Sequence, residues 1–466
     1  MRSLPSRSAA AVLAATVTAA LTAALAAAAG AFAAPAPAEQ SAGRDAATWL
    51  ATQLEDGVLT NFGMPDIGLT IDALLALHAT GAAPAAADHV ADQITANAAT
   101  FSYYEIDYDN DGDLDRIVDA GSTAKLLLAA EVAGRDPKQF GGLDLDAQTR
   151  ALIATSGPHH GRVRDTTPEV YGGDASNTFD QSLAILGLTR SGGVPDDVVA
   201  YLIRQQCPAG GFRLNPDPAG TACTSDAVPD VDSTAIAVQA LVAADAAPGA
   251  AAAAAKGVAW LQARQADDGS FVNGPQQPDP NLPSMPNSNS TGLAGEALAA
   301  AGQHAAADKA SAWVAHLQLT TGPDKGALAY STAAFATGAI DDMTRDQWRR
   351  ATAQALLALA QVPLGEIGKP ITGSPSASAP ASASGSASPS QTVSASPSAS
   401  ASGSVSASRS ASASASASPT PTSTTAAPGG YLPVTGDPIL RIAALAMVLL
   451  TVGVVLVVAA RRRRTP

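Results

Sequence analysis

Aromatic side chains are scarce in this chain of 466 residues: Phe, Trp and Tyr together make up 4% of it. A cage of rings able to stabilise a carbocation is hard to assemble from so few. Cysteine is scarcer still, with Cys207 and Cys223 alone. Basic residues are outnumbered, 27 Lys and Arg against 41 Asp and Glu, for a net charge of −14 and an isoelectric point near 4.7. Nucleic acid is therefore not an expected partner, because its phosphates need a basic surface.

The two ends of the chain read as targeting signals rather than fold. Arg2 and Arg7 precede an apolar run from Ala9 to Ala29 and then Ala31-Phe32-Ala33, the pattern of a signal peptide (residues 1–34) cut by signal peptidase, with a spacer at 35–45. Near the other end, Leu432-Pro433-Val434-Thr435-Gly436 stands before an apolar stretch at 442–460 and the cluster Arg461 to Arg464. That stretch is long enough for a transmembrane helix, and arginines behind it hold their end on the cytoplasmic side. In this order the pentapeptide resembles the LPxTG sorting signal of Gram-positive sortase substrates, so 432–466 reads as a sorting signal. The resemblance implies cleavage after Thr435 and linkage to peptidoglycan, with sortase and peptidoglycan as partners and a secreted, cell-wall-anchored location. The competing reading is a single-pass membrane protein.

Residues 369–431 are nearly all Ser, Ala, Pro, Thr and Gly. Such a composition offers too few apolar contacts to offset the entropy of ordering, which predicts a disordered stalk, with O-glycosylation open. The fold must then lie in 46–368. In an exported chain two cysteines flanking a short loop are expected to form a disulfide, Cys207 to Cys223, rather than to hold metal.

Within that region one unit recurs. Thr70 to Leu77 returns as Thr123 to Ala130, Gln181 to Leu188, Thr234 to Leu241, Thr291 to Leu298 and Thr352 to Leu359, with Gly81, Gly134, Gly192 and Gly302 each eleven residues after the first position. These segments are apolar on nearly every side, as in helices buried all round. Ser, Asp or Asn precedes most of them as a cap, and the glycine ends them. Upstream lie helices with a one-sided stripe, such as Trp49-Leu50, Tyr201-Leu202, Trp260-Leu261 and Trp313-Val314. Six pairs of an outer amphipathic and an inner buried helix predict an all-α fold, an α/α toroid.

Trp260 to Phe271, Asn177 to Ala184 and Asp230 to Ala235 resemble the prenyltransferase/squalene-cyclase repeat, and the likeness covers about Ala46 to Val362. The resemblance implies a terpenoid cyclase-like toroid. It leaves function open, since that superfold hosts enzymes and binders alike.

A toroid of this kind gathers the N-termini of its inner helices at one mouth. Asp66, Asp119, Asn177, Asp180, Asp230, Asp232, Asn287 and Asn289 belong there, with Asp341 and Asp342 as candidates to complete the ring. Two readings fit: helix caps, or a polar rim that binds a small-molecule or protein ligand through Asp66, Asn177, Asp180, Asp232, Asn287 and Asn289. If the protein is an enzyme, Asp232, Asp230 and Asp180 are the candidate catalytic groups. Asp230-Val231-Asp232-Ser233 resembles the DxDD acid motif of squalene-hopene cyclases, with Asp232 at the acid's position and Ser233 in place of the last Asp. The alternatives to a binding module are thus a degenerate cyclase, a polysaccharide-acting enzyme with paired carboxylates, or an inert coat or spacer. Zinc-dependent prenyl transfer is not expected, because Gln205 and Thr221 stand where an Asp should precede each cysteine by two residues. Adjacent His159 and His160 lack a partner cluster and read as solvated.

Asp107, Asp109, Asp111, Asp113 and Asp115, with Gly112 at the sixth position, supply hard oxygen ligands in the order of an EF-hand-like calcium loop. Val118 stands where the twelfth position would carry Glu, and Asp119 is the candidate substitute. Calcium as a structural ion and a merely solvated acidic loop are the two readings.

Overall fold

A computed structural model describes residues 37–61, 63–109, 111–273 and 285–369. The signal peptide, stalk, pentapeptide and 442–460 stretch lie outside these residues. Among the described residues no helix is long and apolar enough to cross a membrane.

Thirteen α-helices account for most of the described chain, and sheet is limited to three two-stranded pairs. The inner helices are α2 (Ile67–Thr80), α4 (Ala120–Val132), α6 (Thr178–Arg190), α8 (Val231–Ala243), α10 (Ser288–Ala300) and α13 (Arg345–Ala360). Each follows an outer helix: α1 (Pro37–Thr52), α3 (Pro84–Ser102), α5 (Leu145–Ala151), α7 (Asp196–Arg204), α9 (Ala250–Gln262) and α11 (His304–Ala315). The short α12 (Thr332–Thr337) precedes α13. Every inner helix touches the next, from α2 through α4, α6, α8 and α10 to α13, and α13 returns to α2, so the inner ring closes. The helices bury their apolar faces on one another within 37–369, which makes this stretch a self-sufficient core.

The repeated residues are explained by hydrogen bonds that recur with them. The hydroxyls of Thr70, Thr234, Thr291 and Thr352 accept the backbone N–H of Leu59, Phe212, Phe271 and Leu328 at 2.9–3.0 Å, which ties each preceding loop onto its inner helix. In α6, Gln181 does the same for Val163 at 2.9 Å. A glutamine closes the glycine-rich turns and reaches the next outer helix. Gln206 donates to Gly210 and Ala253, Gln265 to Gly269 and Ala306, and Gln318 to Gly326 and Ala42. The last of these links the sixth unit to α1. Small residues let the inner helices approach closely: a Cβ on Gly292 would lie 2.7 Å from the Ala355 Cα.

The two ends of the ring are built differently. At the C-terminal end of the inner helices, residues 361–369 run across the opening. Leu364 donates its N–H to the Gln239 side chain at 3.1 Å, and Arg190 binds the carbonyls of Ile367 and Glu131 at 2.6 and 2.8 Å. Gly365 lies against Ala243 and Leu186, and Gly368 against Val132. Leu364 and Ile367 are buried there. Gly43, early in α1, lies against Thr80 and Leu359 at the same end. The described chain therefore enters and leaves at the sealed end, opposite the mouth.

At the mouth, the loops before the inner helices bond to one another around the rim. Ala120 donates to Asp165 and Thr166 to Val118, Thr178 binds Leu214, Ser288 binds Tyr330, and Arg349 binds the Thr60 carbonyl. β3 (Tyr103–Ile106) and β4 (Asp115–Val118) pair antiparallel and close the loop 107–114 as a hairpin. β5 (Phe212–Arg213) pairs with β6 (Pro229–Asp230), and β1 (Thr60–Asn61) with β2 (Met64–Pro65). Cys207 and Cys223 are joined by a disulfide that closes the loop before α8.

Candidate functional site

Five of the mouth residues act as helix caps. Asp66 accepts the N–H of Leu69, Asp119 that of Ser122, Asn177 that of Phe179, Asp230 that of Ser233 and Asn287 that of Ser290, at 2.7–2.9 Å. Each satisfies a donor that the first helical turn leaves unpaired. Asp180 completes a capping box, its carboxylate accepting the Asn177 N–H at 2.8 Å. Asp341 and Asp342 do not complete the ring. The sixth inner helix begins about one turn early by comparison, at Arg345, so Trp348 stands at the cap register and Arg350 takes the register of Asp232 and Asn289; Asp341 instead caps Thr344 outside it.

The residues two positions after the cap have no capping duty, and they point into the ring. Asp232 is 4% exposed, and its Oδ1 has no hydrogen-bond partner. Burial, and then the neighbouring Asp230 carboxylate, push its pKa up to about 7 against a weaker pull from Ser290. Asp230 is pushed up to about 6 by burial, with its bonds to Ser233 opposing. Asn289 donates to Gln354 at 2.6 Å, while its own Oδ1 is buried without a partner. Arg350 pairs with Asp66 and, at 2.8 Å, with Asp346.

One turn deeper, Asp72 meets Lys125 of α4 at 2.6 Å and Gln354 of α13 at 3.3 Å. A side chain that reaches both neighbouring helices must sit on the face toward the ring's centre. The polar sector therefore runs Asp232, Asn289, Gln354, Asp72, Lys125, while Phe179, Leu183, Ile236 and Leu293 line the rest as buried apolar wall. Deeper still, Glu296 is fully buried, its pKa raised well above the ordinary carboxylate value by burial, beside Gln239. The repeat register of Asp72, Lys125, Gln354 and Glu296 was available in the sequence. Reading each as one position of the recurring unit finds them as polar substitutions on an otherwise apolar face.

The acidic hairpin lies at the same end. One carboxylate oxygen from each of Asp107, Asp109 and Asp111 falls within 4.8 Å of the others. The N–H of Asp111 binds Asp107 and Asp109, and that of Gly112, at φ 98°, binds Asp107. Asp115 lies close enough that, after desolvation, the charges of Asp109, Asp111 and Asp107 raise its pKa. Asp113 donates its N–H to Asp111, and no clustering of its carboxylate with the other three is seen. Val118 pairs with Tyr103 in the hairpin and Asp119 caps α4, so neither stands as a twelfth-position ligand. The clustered carboxylates suited to a hard cation are Asp107, Asp109 and Asp111, with Asp113 and Asp115 following them on the hairpin.

His159 and His160 are not a pair: His159 faces the Pro218 carbonyl and His160 faces Asp197. Two surface depressions, of about 450 Å³ beside Gln262, Gln303 and Lys309 and about 260 Å³ beside Asp92 and Arg135, lie outside the ring.

No family model matches the chain, and no curated protein matches it. Among solved structures it is similar to a protein from Actinoplanes, at 20% identity over 69% of this chain and 99% of that one, with a TM-score of 0.47. It is also similar to an unsaturated glucuronyl hydrolase from Bacillus sp. GL1, at 12% identity over 71% and 98%, TM-score 0.48. A third is a type II terpene cyclase from Scytonema, at 14% over 71% and 98%, TM-score 0.44. Closure of the ring is set by the contacts of the inner helices with one another.

Proposed function

We propose that this protein is a cell-wall-anchored binding module whose toroid takes a ligand at its mouth. The observation that carries the proposal is the polar sector inside the ring. Asp232 Oδ1 and Asn289 Oδ1 are buried acceptors with unmet hydrogen-bonding capacity, on residues that cap nothing. Buried polar atoms in native proteins are ordinarily satisfied, so a small molecule bearing hydroxyl or amide donors fits this position. The cysteine bond suits an exported domain. Peptidoglycan linkage through Thr435, after sortase cleavage before Gly436, is part of the same proposal. So is calcium held by Asp107, Asp109 and Asp111 to stiffen the hairpin at the rim.

Native mass spectrometry of the protein released from its host's wall tests this. A small-molecule increment, lost when Asp232→Asn and Asn289→Ala are combined, supports the binding reading; a bare polypeptide from every growth condition counts against it. An increment of one calcium ion that chelation removes supports the metal site.

A second reading, an enzyme, is favoured by one feature. Asp232 retains its proton near neutral pH beside Asp230, as a general acid requires. The lining residues around it, Phe179, Leu183, Ile236 and Leu293, are each at most 7% exposed, which leaves little room for a long folded substrate. Turnover of a polyene or an oligosaccharide, abolished in Asp232→Asn, would establish it.

A further inference from the structure

The large hydrophobic residues exposed among the described ones are Met64, Leu114, Val170, Met285, Phe335 and Met343. All six lie in the segments that join an outer helix to the inner helix after it, Phe335 within the short α12, hence at the mouth. Methionine is the sharpest marker. Apart from Met1 and Met447 the chain has only these three, and they are 60%, 43% and 81% exposed, where a thioether usually fills core space.

Charge segregates the same way. The described residues of the mouth loops, within 53–66, 103–119, 152–177, 205–230, 263–287 and 316–344, hold 21 Asp and Glu against 6 Lys and Arg, a net of −15. The loops at the sealed end, 81–83, 133–144, 191–195, 244–249, 301–303 and 361–369, hold 4 against 3, a net of −1. The mouth face alone exceeds by one unit the net charge of −14 carried by the whole chain. The edge-on contact of Tyr108 with Tyr171, 6.5 Å between centroids, joins the acidic hairpin to the loop that exposes Val170, which brings acidic and apolar groups together there. The described chain enters and leaves at the opposite end.

We infer that the rim of the mouth is a docking surface for a cationic amphipathic peptide segment. Carboxylates steer and register the lysines or arginines of such a segment, and flexible exposed methionines with Leu, Val and Phe accept its apolar face without demanding one sequence. Neither feature alone specifies this partner. An acidic face without apolar groups would take any polycation, and an apolar face without charge would take a second copy of this chain. The inference deepens the binding reading above but uses the rim and not the lumen, so mass spectrometry of lumen ligands and the assay below can fail separately.

The test uses residues 37–369 and three fluorescein-labelled 18-residue peptides: an amphipathic Leu/Lys helix, an isomer of the same composition with its leucines scattered, and a Leu/Glu version. Fluorescence anisotropy is expected to show the amphipathic Leu/Lys peptide binding at least tenfold more tightly than its isomer, with no binding of the Leu/Glu peptide. The triple variant Met64→Ser, Met285→Ser, Met343→Ser is expected to lose that tenfold preference while keeping its circular dichroism and melting temperature, since all three sites are exposed. Equal binding of the two Leu/Lys isomers, equal binding of the Leu/Glu peptide, no binding at all, or an unchanged preference in the triple variant would each overturn the inference. So would a concentration-dependent dimer of the unmodified protein that the triple variant abolishes, because the rim would then be a self-interface.

Discussion

The two ends of the ring are made from the same repeat, yet one is finished as core and the other as surface. At the sealed end the inner helices stop at short glycine turns, and 361–369 lie across them with Leu364 and Ile367 buried. At the mouth the loops are long, carry the net charge, and display methionine to solvent. Repeats constrain the loops at one end far more than at the other, because among the described residues only one end is crossed by a segment of the chain. Side chains at the mouth are thus free to be selected for something other than packing.

Breaking the comparison at the sealed end should have the largest effect. Ending the chain after Gln361 removes the buried Leu364 and Ile367 and opens the ring, with an expected loss of about 3–5 kcal/mol in denaturant unfolding. The triple methionine variant at the mouth should stay within about 0.5 kcal/mol of the parent. If both changes cost the same, the two ends are not distinct. Next in size is the staple of the mouth loop: Cys207→Ala with Cys223→Ala should cost about 3 kcal/mol, the loop-entropy value for a closure of this length. Urea unfolding with and without reductant measures it.

A third effect is tied to pH. The folded pKa of Asp232 is about 7 against an ordinary 3.8, so the folded state binds the extra proton between those values. Stability contributed by the neutral carboxyl is fully present below pH 4 and is lost as pH rises toward 7, at up to about 1.4 kcal/mol per pH unit. Asp232→Asn should flatten that fall in melting curves taken from pH 4 to 8; an unchanged slope would show the mouth interior to be wetter than its burial implies. The smallest effect is calcium at the rim. Millimolar calcium should stabilise the protein by about 1–2 kcal/mol through mass action, and Asp109→Asn with Asp111→Asn should remove the gain.

The six helix pairs and the direction in which the inner helices point were legible in the sequence, because the Thr-to-Leu unit repeats with its cap and its glycine; the short α12, which lies outside that unit, was not. The mouth was legible only as a list of polar residues. Asp66, Asn177, Asp230 and Asn287 look like Asp232 and Asn289 in sequence, and a shift of two positions in the first helical turn separates capping from facing the ring. Asp341 and Asp342 misled because the sixth inner helix starts early, which placed Arg350, a cation, at the register where its neighbours carry Asp232 and Asn289. The gathering of exposed methionines on one face needed the fold, since Met64 stands in the first unit and Met285 and Met343 in the last two, and they share a face only when the ring closes.

The most direct test of the central claim, that the mouth is the working face, is side-chain labelling on intact host cells compared with purified 37–369. Oxidation reports Met64, Met285 and Met343 at the mouth, and acylation reports Lys256 and Lys309, exposed on the outer helices. The account predicts that at least one of the three methionines is labelled several-fold more slowly on cells, while Lys256 and Lys309 react as they do in the purified domain. Equal methionine labelling in the two settings would contradict it.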